Sequence, residues 1–73
     1  MAQGKITKTL NIRKGPGTKY NNLISYPTLP ANTIVGICDL IRGADGGKWY
    51  FIKISGTKGD KHGFASANYI NLI

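Results

Sequence analysis

The side chains that could perform covalent chemistry are few in this chain: one cysteine (Cys38), one histidine (His62) and three aspartates. A thiol, an imidazole and a carboxylate could act as nucleophile, base and orienting group. Cys38, however, lies in the apolar stretch TIVGICDLI, where a thiol is usually a small core residue. His62 lies in the polar sequence GDKHG and is expected at a surface turn. These groups therefore do not predict an enzyme.

Metal and phosphate sites are not indicated either. One histidine and one cysteine fall short of the tetrahedral ligand set that structural zinc needs. The segment DLIRGADGG lacks the alternating oxygen ligands of a calcium loop. The segment GPGTKY lacks the Gly-Lys-Ser/Thr ending of a phosphate-binding loop. We expect no metal ion and no cofactor.

Charge is the most one-sided property of the chain, with ten Lys and Arg against three Asp and a formal net charge of +7. Such a balance predicts attraction to nucleic acid, to an anionic membrane surface or to an anionic cell-wall polymer. The cations are scattered, so a solvated surface that keeps the protein soluble is the simpler alternative. No apolar run is long enough to cross a bilayer, and MAQGKITK has no secretory leader. We expect neither a membrane partner nor a signal peptide.

The sequence pattern predicts short strands, and these must position any side chains that bind a ligand. In LNIRKGPGTKY, residues 10–20, Leu10 and Ile12 alternate with Asn11 and Arg13, and Gly-Pro-Gly then ends the strand. LISY, TIVGICDLI, KWYFIKI and part of FASANYINLI also read as strands separated by turns. Asn32 is expected in the left-handed conformation. The pattern predicts one all-β domain over residues 5–73, with a flexible segment at 1–4.

Four of these segments, in this order, resemble the bacterial SH3 (SH3b) family: LNIRKGPGTKY, TLPANTIVGI, WYFIKI and HGFASANYI. The family opens with Leu-Asn-Val-Arg-x-Gly-Pro followed by a Tyr, which Tyr20 matches here. The Trp that opens its central strand matches Trp49, and its closing Gly-aromatic pattern ends at Tyr69. Asn32 stands where the family usually has Gly, and Ala65 replaces a larger β-branched residue.

The resemblance implies a small SH3-like antiparallel barrel of about five to seven short strands, with at most one helical turn near residues 66–69. It also implies a non-catalytic module that holds a peptidoglycan hydrolase, such as a phage endolysin or a bacterial autolysin, on Gram-positive peptidoglycan. A tethered catalytic domain and an extracellular or cell-wall location are expected with it. The ligand would be a stem peptide, a cross-bridge or a glycan, with anionic wall polymers as further partners.

Rigid aromatic faces with a few placed polar groups typically hold such ligands. The chain has more aromatic residues than so thin a core can enclose, so some are expected at the surface. Trp49 and Tyr50 point opposite ways along one strand. The family match favours Trp49 as the exposed one, and the alternative is that Trp49 caps the end of the core. Arg13 could pair with a stem-peptide carboxylate, or instead serve the fold together with Asn11. The candidate ligand-binding residues are Asn11, Arg13, Tyr20, Trp49, Phe51 and Tyr69.

Two other functions are open. A small basic barrel could bind nucleic acid by stacking bases on aromatic side chains. Against this, the aromatics do not cluster within one strand between cations. Recognition of Pro-rich peptides, as in eukaryotic SH3 domains, would need acidic residues near the groove, and the chain has three Asp and no Glu.

Overall fold

The computed structural model describes the whole chain, residues 1–73, as seven antiparallel strands and one 3₁₀ turn. The 3₁₀ turn spans Ala67–Tyr69, so the expected all-β fold with one helical turn near residues 66–69 is confirmed. No helix is long and apolar enough to span a membrane. The strands are β1 (Ala2–Ile6), β2 (Leu10–Asn11), β3 (Thr28–Leu29), β4 (Ile34–Arg42), β5 (Lys48–Ile54), β6 (Lys61–Ser66) and β7 (Ile70–Leu72).

Five strands form one sheet in the order β6-β5-β4-β1-β7, and β2 pairs with β3 in a second, two-stranded sheet. Two residues after β2, the backbone of Arg13 pairs with Phe64 on β6. Arg13 N–H donates to the Phe64 carbonyl at 2.8 Å, and Phe64 N–H donates to the Arg13 carbonyl at 2.9 Å. This reciprocal pair joins the small sheet to the edge of the large one.

The core lies between the two sheets and follows the alternation of β5. Ile52 and Ile54 point inward and are buried, whereas Phe51 and Lys53 lie on the outer face. Gly63 on β6 lets Ile12 approach, because a Cβ there would lie 2.7 Å from the Ile12 Cγ2. The core consists of nine buried side chains: Ile6, Leu10, Ile12, Leu29, Val35, Ile52, Ile54, Ala65 and Ile70.

Asn32 has a φ of 72°, so its expected left-handed conformation is confirmed. Asparagine tolerates this region better than most residues because its short polar side chain adds little steric cost. The turn directs the Asn32 N–H to the Ile6 carbonyl at 2.6 Å. The chain therefore reverses here and enters β4 alongside β1.

Two of the expected local assignments are wrong. The segment 1–4 does not lie outside the domain, because Ala2–Gly4 belong to β1, which pairs with both β4 and β7, and Gly4 and Ile6 are buried. LISY is not a strand: Leu23 N–H donates to the Ile12 carbonyl, but the next strand residues are Thr28–Leu29. Pro27 lacks the N–H of a strand residue, and pairing resumes only after it.

Cys38 is exposed, so its expected place in the core is wrong. The pairing of β4 with β5 shifts between Ile37 and Asp39, which leaves Cys38 as the unpaired residue of a β-bulge. A bulge inserts one residue on one strand and interrupts the inside-outside alternation. The alternation of the sequence could not reveal this change of register.

Replacing Ile52, which is fully buried, with Ala should lower the free energy of unfolding by about 2–5 kcal/mol, because it removes buried methyl groups and leaves a cavity. Urea unfolding at equilibrium measures this change. The control is Ile24→Ala, since the Ile24 side chain is 87% exposed and its loss should change little. Equal effects of the two substitutions would contradict the described core.

Candidate ligand-binding cleft

An open cleft of about 250 Å³ lies where β2, the loop of residues 14–22, the loop of residues 43–47 and the 3₁₀ turn meet. Four of the six candidate residues line it: Asn11, Arg13, Trp49 and Tyr69. Tyr20 and Phe51 do not. Five lining residues were not predicted from the sequence: Leu10, Thr18, Asp45, Ser66 and Asn68.

The wall formed by Asn11 and Arg13 is organised by Asn22, which sequence reasoning missed. The Asn22 amide nitrogen Nδ2 donates to Asn11 Oδ1 at 3.0 Å and to the Pro27 carbonyl at 2.9 Å. Its amide oxygen accepts from Arg13 Nη1 at 3.4 Å. Asn22 therefore holds both cleft side chains and the base of the loop together. Because these residues are distant in sequence, no local pattern signals the connection.

One nitrogen of the Arg13 guanidinium holds the fold together, and its other N–H donors are free to bind a ligand. Its Nη1 donates to the Tyr20 carbonyl at 3.0 Å, which ties the loop of residues 14–22 back on itself. No carboxylate lies within ion-pair distance of the guanidinium, since the one salt bridge joins Lys53 to Asp60. The planar fork has five N–H donors, so most of them stay free for a ligand.

Tyr20 packs on the Gly-Pro-Gly segment instead of facing the cleft. A Cβ on Gly15 would lie 2.5 Å from the Tyr20 Cδ1, so only glycine allows the ring to lie this close. The side chain is 43% exposed. Gly15 thus lets the Tyr20 ring pack directly on the backbone, and Tyr20 stabilises the loop from outside the cleft.

The expectation that Trp49 is a surface residue is wrong, because the side chain is only 4% exposed. It does not belong to the nine-residue core either, since it lies on the outer face of β5. The loop of residues 43–47 covers it: a Cβ on Gly43 would lie 2.4 Å from the Trp49 Cδ1. The same loop is tied to the Gly-Pro-Gly segment, because Ala44 N–H donates to the Pro16 carbonyl at 2.8 Å. Trp49 forms the floor of the cleft.

Asp45 is fixed at the cleft by the turn that covers Trp49. Its Oδ1 accepts from the Gly47 N–H at 2.9 Å and from the Trp49 indole Nε1 at 3.2 Å. The Gly47 N–H, followed by the indole N–H, lowers the pKa of Asp45 below 3.8, because both donors favour the charged carboxylate. The signal in the sequence is the Asp-Gly-Gly turn, since aspartate commonly accepts from an N–H two residues later.

Tyr69 closes the opposite side of the cleft. Its carbonyl accepts from the Thr7 N–H at 2.9 Å and from the Thr7 hydroxyl at 3.1 Å. The Lys8 ammonium lies 4.2 Å from the centre of the Tyr69 ring, within cation–π distance. Ser66 begins the turn that carries Tyr69, and its hydroxyl accepts from the Asn68 N–H at 3.4 Å.

Phe51 lies on the outer face of the sheet and does not line the cleft. Its ring stacks on His62 with centroids 5.4 Å apart, and it lies 5.0 Å from the Phe64 ring. Aromatic residues of neighbouring strands therefore do cluster, which the reading of single strands did not predict. No three His, Cys, Asp or Glu side chains gather where they could hold a metal ion.

Searches against protein-family models, curated proteins and solved structures found no match to this chain.

Replacing Gly43 with Ala should lower the free energy of unfolding by about 1–3 kcal/mol, because the new methyl group overlaps the Trp49 ring. Trp49 is the one tryptophan, so a red shift of its fluorescence would report its displacement. The control is Gly17→Ala, where a Cβ meets no atom closer than 3.4 Å. An unshifted emission in the Gly43 variant would contradict the close cover.

Ionised Asp45 should stabilise the fold, since its pKa is lower in the folded protein. This contribution is complete above the ordinary pKa of 3.8 and is lost as the pH falls through the folded value. Asp45→Asn keeps an acceptor oxygen but removes the charge. Urea unfolding should therefore show a stability deficit for the variant at neutral pH that shrinks in strong acid. A deficit of equal size at both pH values would contradict the assignment.

Proposed function

We propose that this protein is a non-catalytic module that binds the peptide part of Gram-positive peptidoglycan through the cleft, and so holds a tethered peptidoglycan hydrolase on the cell wall. The observation that carries the proposal is that four of the six candidate ligand-binding residues, drawn from the segments that resemble the SH3b family, line one cleft. Its place of action is then extracellular, at the wall, as part of a larger lytic protein.

The chemistry of the cleft suits a peptide better than a bare sugar ring. Peptide groups offer both N–H and C=O groups, and the cleft presents donors and acceptors in close succession along its walls. Arg13 brings free guanidinium donors that match a carboxylate or a carbonyl. The half-buried Tyr69 ring supplies an apolar side against which a peptide can lie, above the small exposed part of Trp49.

The open shape of the cleft implies modest affinity for a single site. Few groups converge on a ligand in so open a volume, and each neutral hydrogen bond adds only about 1 kcal/mol. A repetitive wall and a tethered second binding unit would raise the apparent affinity by keeping the effective concentration high. The net charge of +7 would add a salt-dependent attraction to anionic wall polymers.

Pelleting with purified peptidoglycan, stripped of anionic polymers, tests the proposal at low and at high salt. We expect binding that survives both stripping and salt, because the cleft contacts are short-ranged and little screened. Binding that disappears with either treatment would mean that the net charge alone holds the protein on the wall.

Asn68→Ala should weaken binding to stripped peptidoglycan about fivefold, the loss of about one neutral hydrogen bond. Asn68 is exposed at the cleft, and its side chain makes no hydrogen bond within the protein. Asn71→Ala is the matched control, since Asn71 is an exposed asparagine on β7 outside the cleft. If both variants bind alike, the cleft is not the ligand site.

A second candidate, binding of single-stranded nucleic acid, is favoured by the cluster of Phe51, His62 and Phe64 on the outer face. Bases stack on such aromatic platforms, and Lys53 lies opposite His62 in the pairing of β5 with β6. Phe51→Ala should then abolish oligonucleotide binding while leaving pelleting with stripped peptidoglycan unchanged. Fluorescence anisotropy with a labelled oligonucleotide over a range of salt concentrations measures the first effect.

A further inference from the structure

The acidic residues of this basic chain are not equivalent. Asp60 pairs with Lys53 at 3.5 Å, and Asp39 accepts from the N–H of its own neighbour, Leu40, at 2.8 Å. Asp45 alone lines the cleft. An anion at the ligand site of a protein with net charge +7 opposes the attraction to polyanions that its surface creates.

The Asp45 carboxylate is held by one oxygen and leaves the other free. Both hydrogen bonds, from Gly47 and from Trp49, end on Oδ1, whereas Oδ2 accepts none within the protein. The Arg42 Nη1 donates to the Gly46 carbonyl at 3.0 Å, which further fixes the turn. A rigidly placed carboxylate oxygen is a strong acceptor for an ammonium group, because charge-assisted bonds are about twice as strong as neutral ones.

Arg13 provides the opposite charge within the same cleft. Its guanidinium and the Asp45 carboxylate do not form a salt bridge with each other. The cleft thus holds one fixed positive and one fixed negative group, neither neutralised by an ionic partner. A ligand with two charges in the complementary order would satisfy both at once.

We propose that the cleft recognises a zwitterionic peptide segment, whose primary amine binds Asp45 Oδ2 and whose carboxylate binds the free donors of Arg13. This inference rests on the proposed function and names the part of the wall peptide that is read: a segment with an unacylated amine near a free carboxylate. It predicts discrimination against segments whose amine is consumed in a cross-link.

The probe is the dipeptide Nα-acetyl-L-lysyl-D-alanine, which carries one primary amine and one carboxylate. Its two comparison forms have the lysine amine acetylated or the carboxylate converted to an amide. Chemical-shift titration of the labelled protein should show affinity about tenfold weaker for each comparison form, since each loses one charge-assisted hydrogen bond. Equal affinities for the three forms would overturn the inference.

The variant Asp45→Asn keeps an oxygen for the Gly47 and Trp49 donors but has no charge for the amine. It should bind the free and the acetylated dipeptide equally, whereas the wild type prefers the free amine about tenfold. Asp60→Asn is the matched control, because it makes the same change of net charge outside the cleft. It should keep the wild-type preference. A preference retained by the Asp45 variant would overturn the inference.

Pelleting with stripped peptidoglycan separates failure of this inference from failure of the proposed function. Amine recognition predicts weaker binding for Asp45→Asn and unchanged binding for Asp60→Asn. If both variants pellet like the wild type, the wall function holds and amine recognition is wrong. Both substitutions remove one negative charge and so raise the net charge equally. If both variants therefore bind more strongly by the same amount, and high salt abolishes the binding, the proposed function itself fails.

Discussion

The backbone pairing between Arg13 and Phe64 is the interaction on which the rest of the structure depends. It is a single reciprocal pair of hydrogen bonds, and it attaches the two-stranded sheet to the edge of the five-stranded one. Ile12, the residue before Arg13, is thereby held over Gly63 and is fully buried. The same pairing fixes where the Arg13 side chain leaves the backbone, and with it one wall of the cleft. Core and site therefore share one constraint.

Close approaches between glycine backbone and aromatic rings build the rim of the cleft. Tyr20 lies against Gly15, and Trp49 lies against Gly43. The two glycine-containing loops are themselves joined through the Pro16 carbonyl. A small domain buries little surface, so covering a tryptophan with a loop gains apolar burial that the nine-residue core alone does not supply. The cover also turns the indole N–H toward Asp45.

Sequence reasoning succeeded where a local pattern carries the information. The segment KWYFIKI predicted a strand and forms β5, and Asn32 between two strands predicted a left-handed turn. It failed where the outcome depends on parts of the chain that meet only after folding. The bulge at Cys38 is set by the register between β4 and β5, and no residue type marks it.

The candidate site was predictable to a similar degree. The alternation of residues 10–13 predicted that Asn11 and Arg13 lie on the outward face of a strand, and both line the cleft. Trp49 is buried because the loop of residues 43–47 folds back over the sheet. The alternation of a strand sequence cannot predict such a contact. Asp45 was missed for the same reason, since its partner Trp49 is reached only when that loop folds.

The bulge at Cys38 also gives the protein a chemically unique point on its surface. The chain has one thiol, it is exposed, and it does not line the cleft. A thiol-reactive dye or spin label would therefore attach at one known position without occupying the ligand site. Because the bulge lies inside the central strand of the large sheet, such a label would rotate with the rigid body of the domain and report its orientation on a surface.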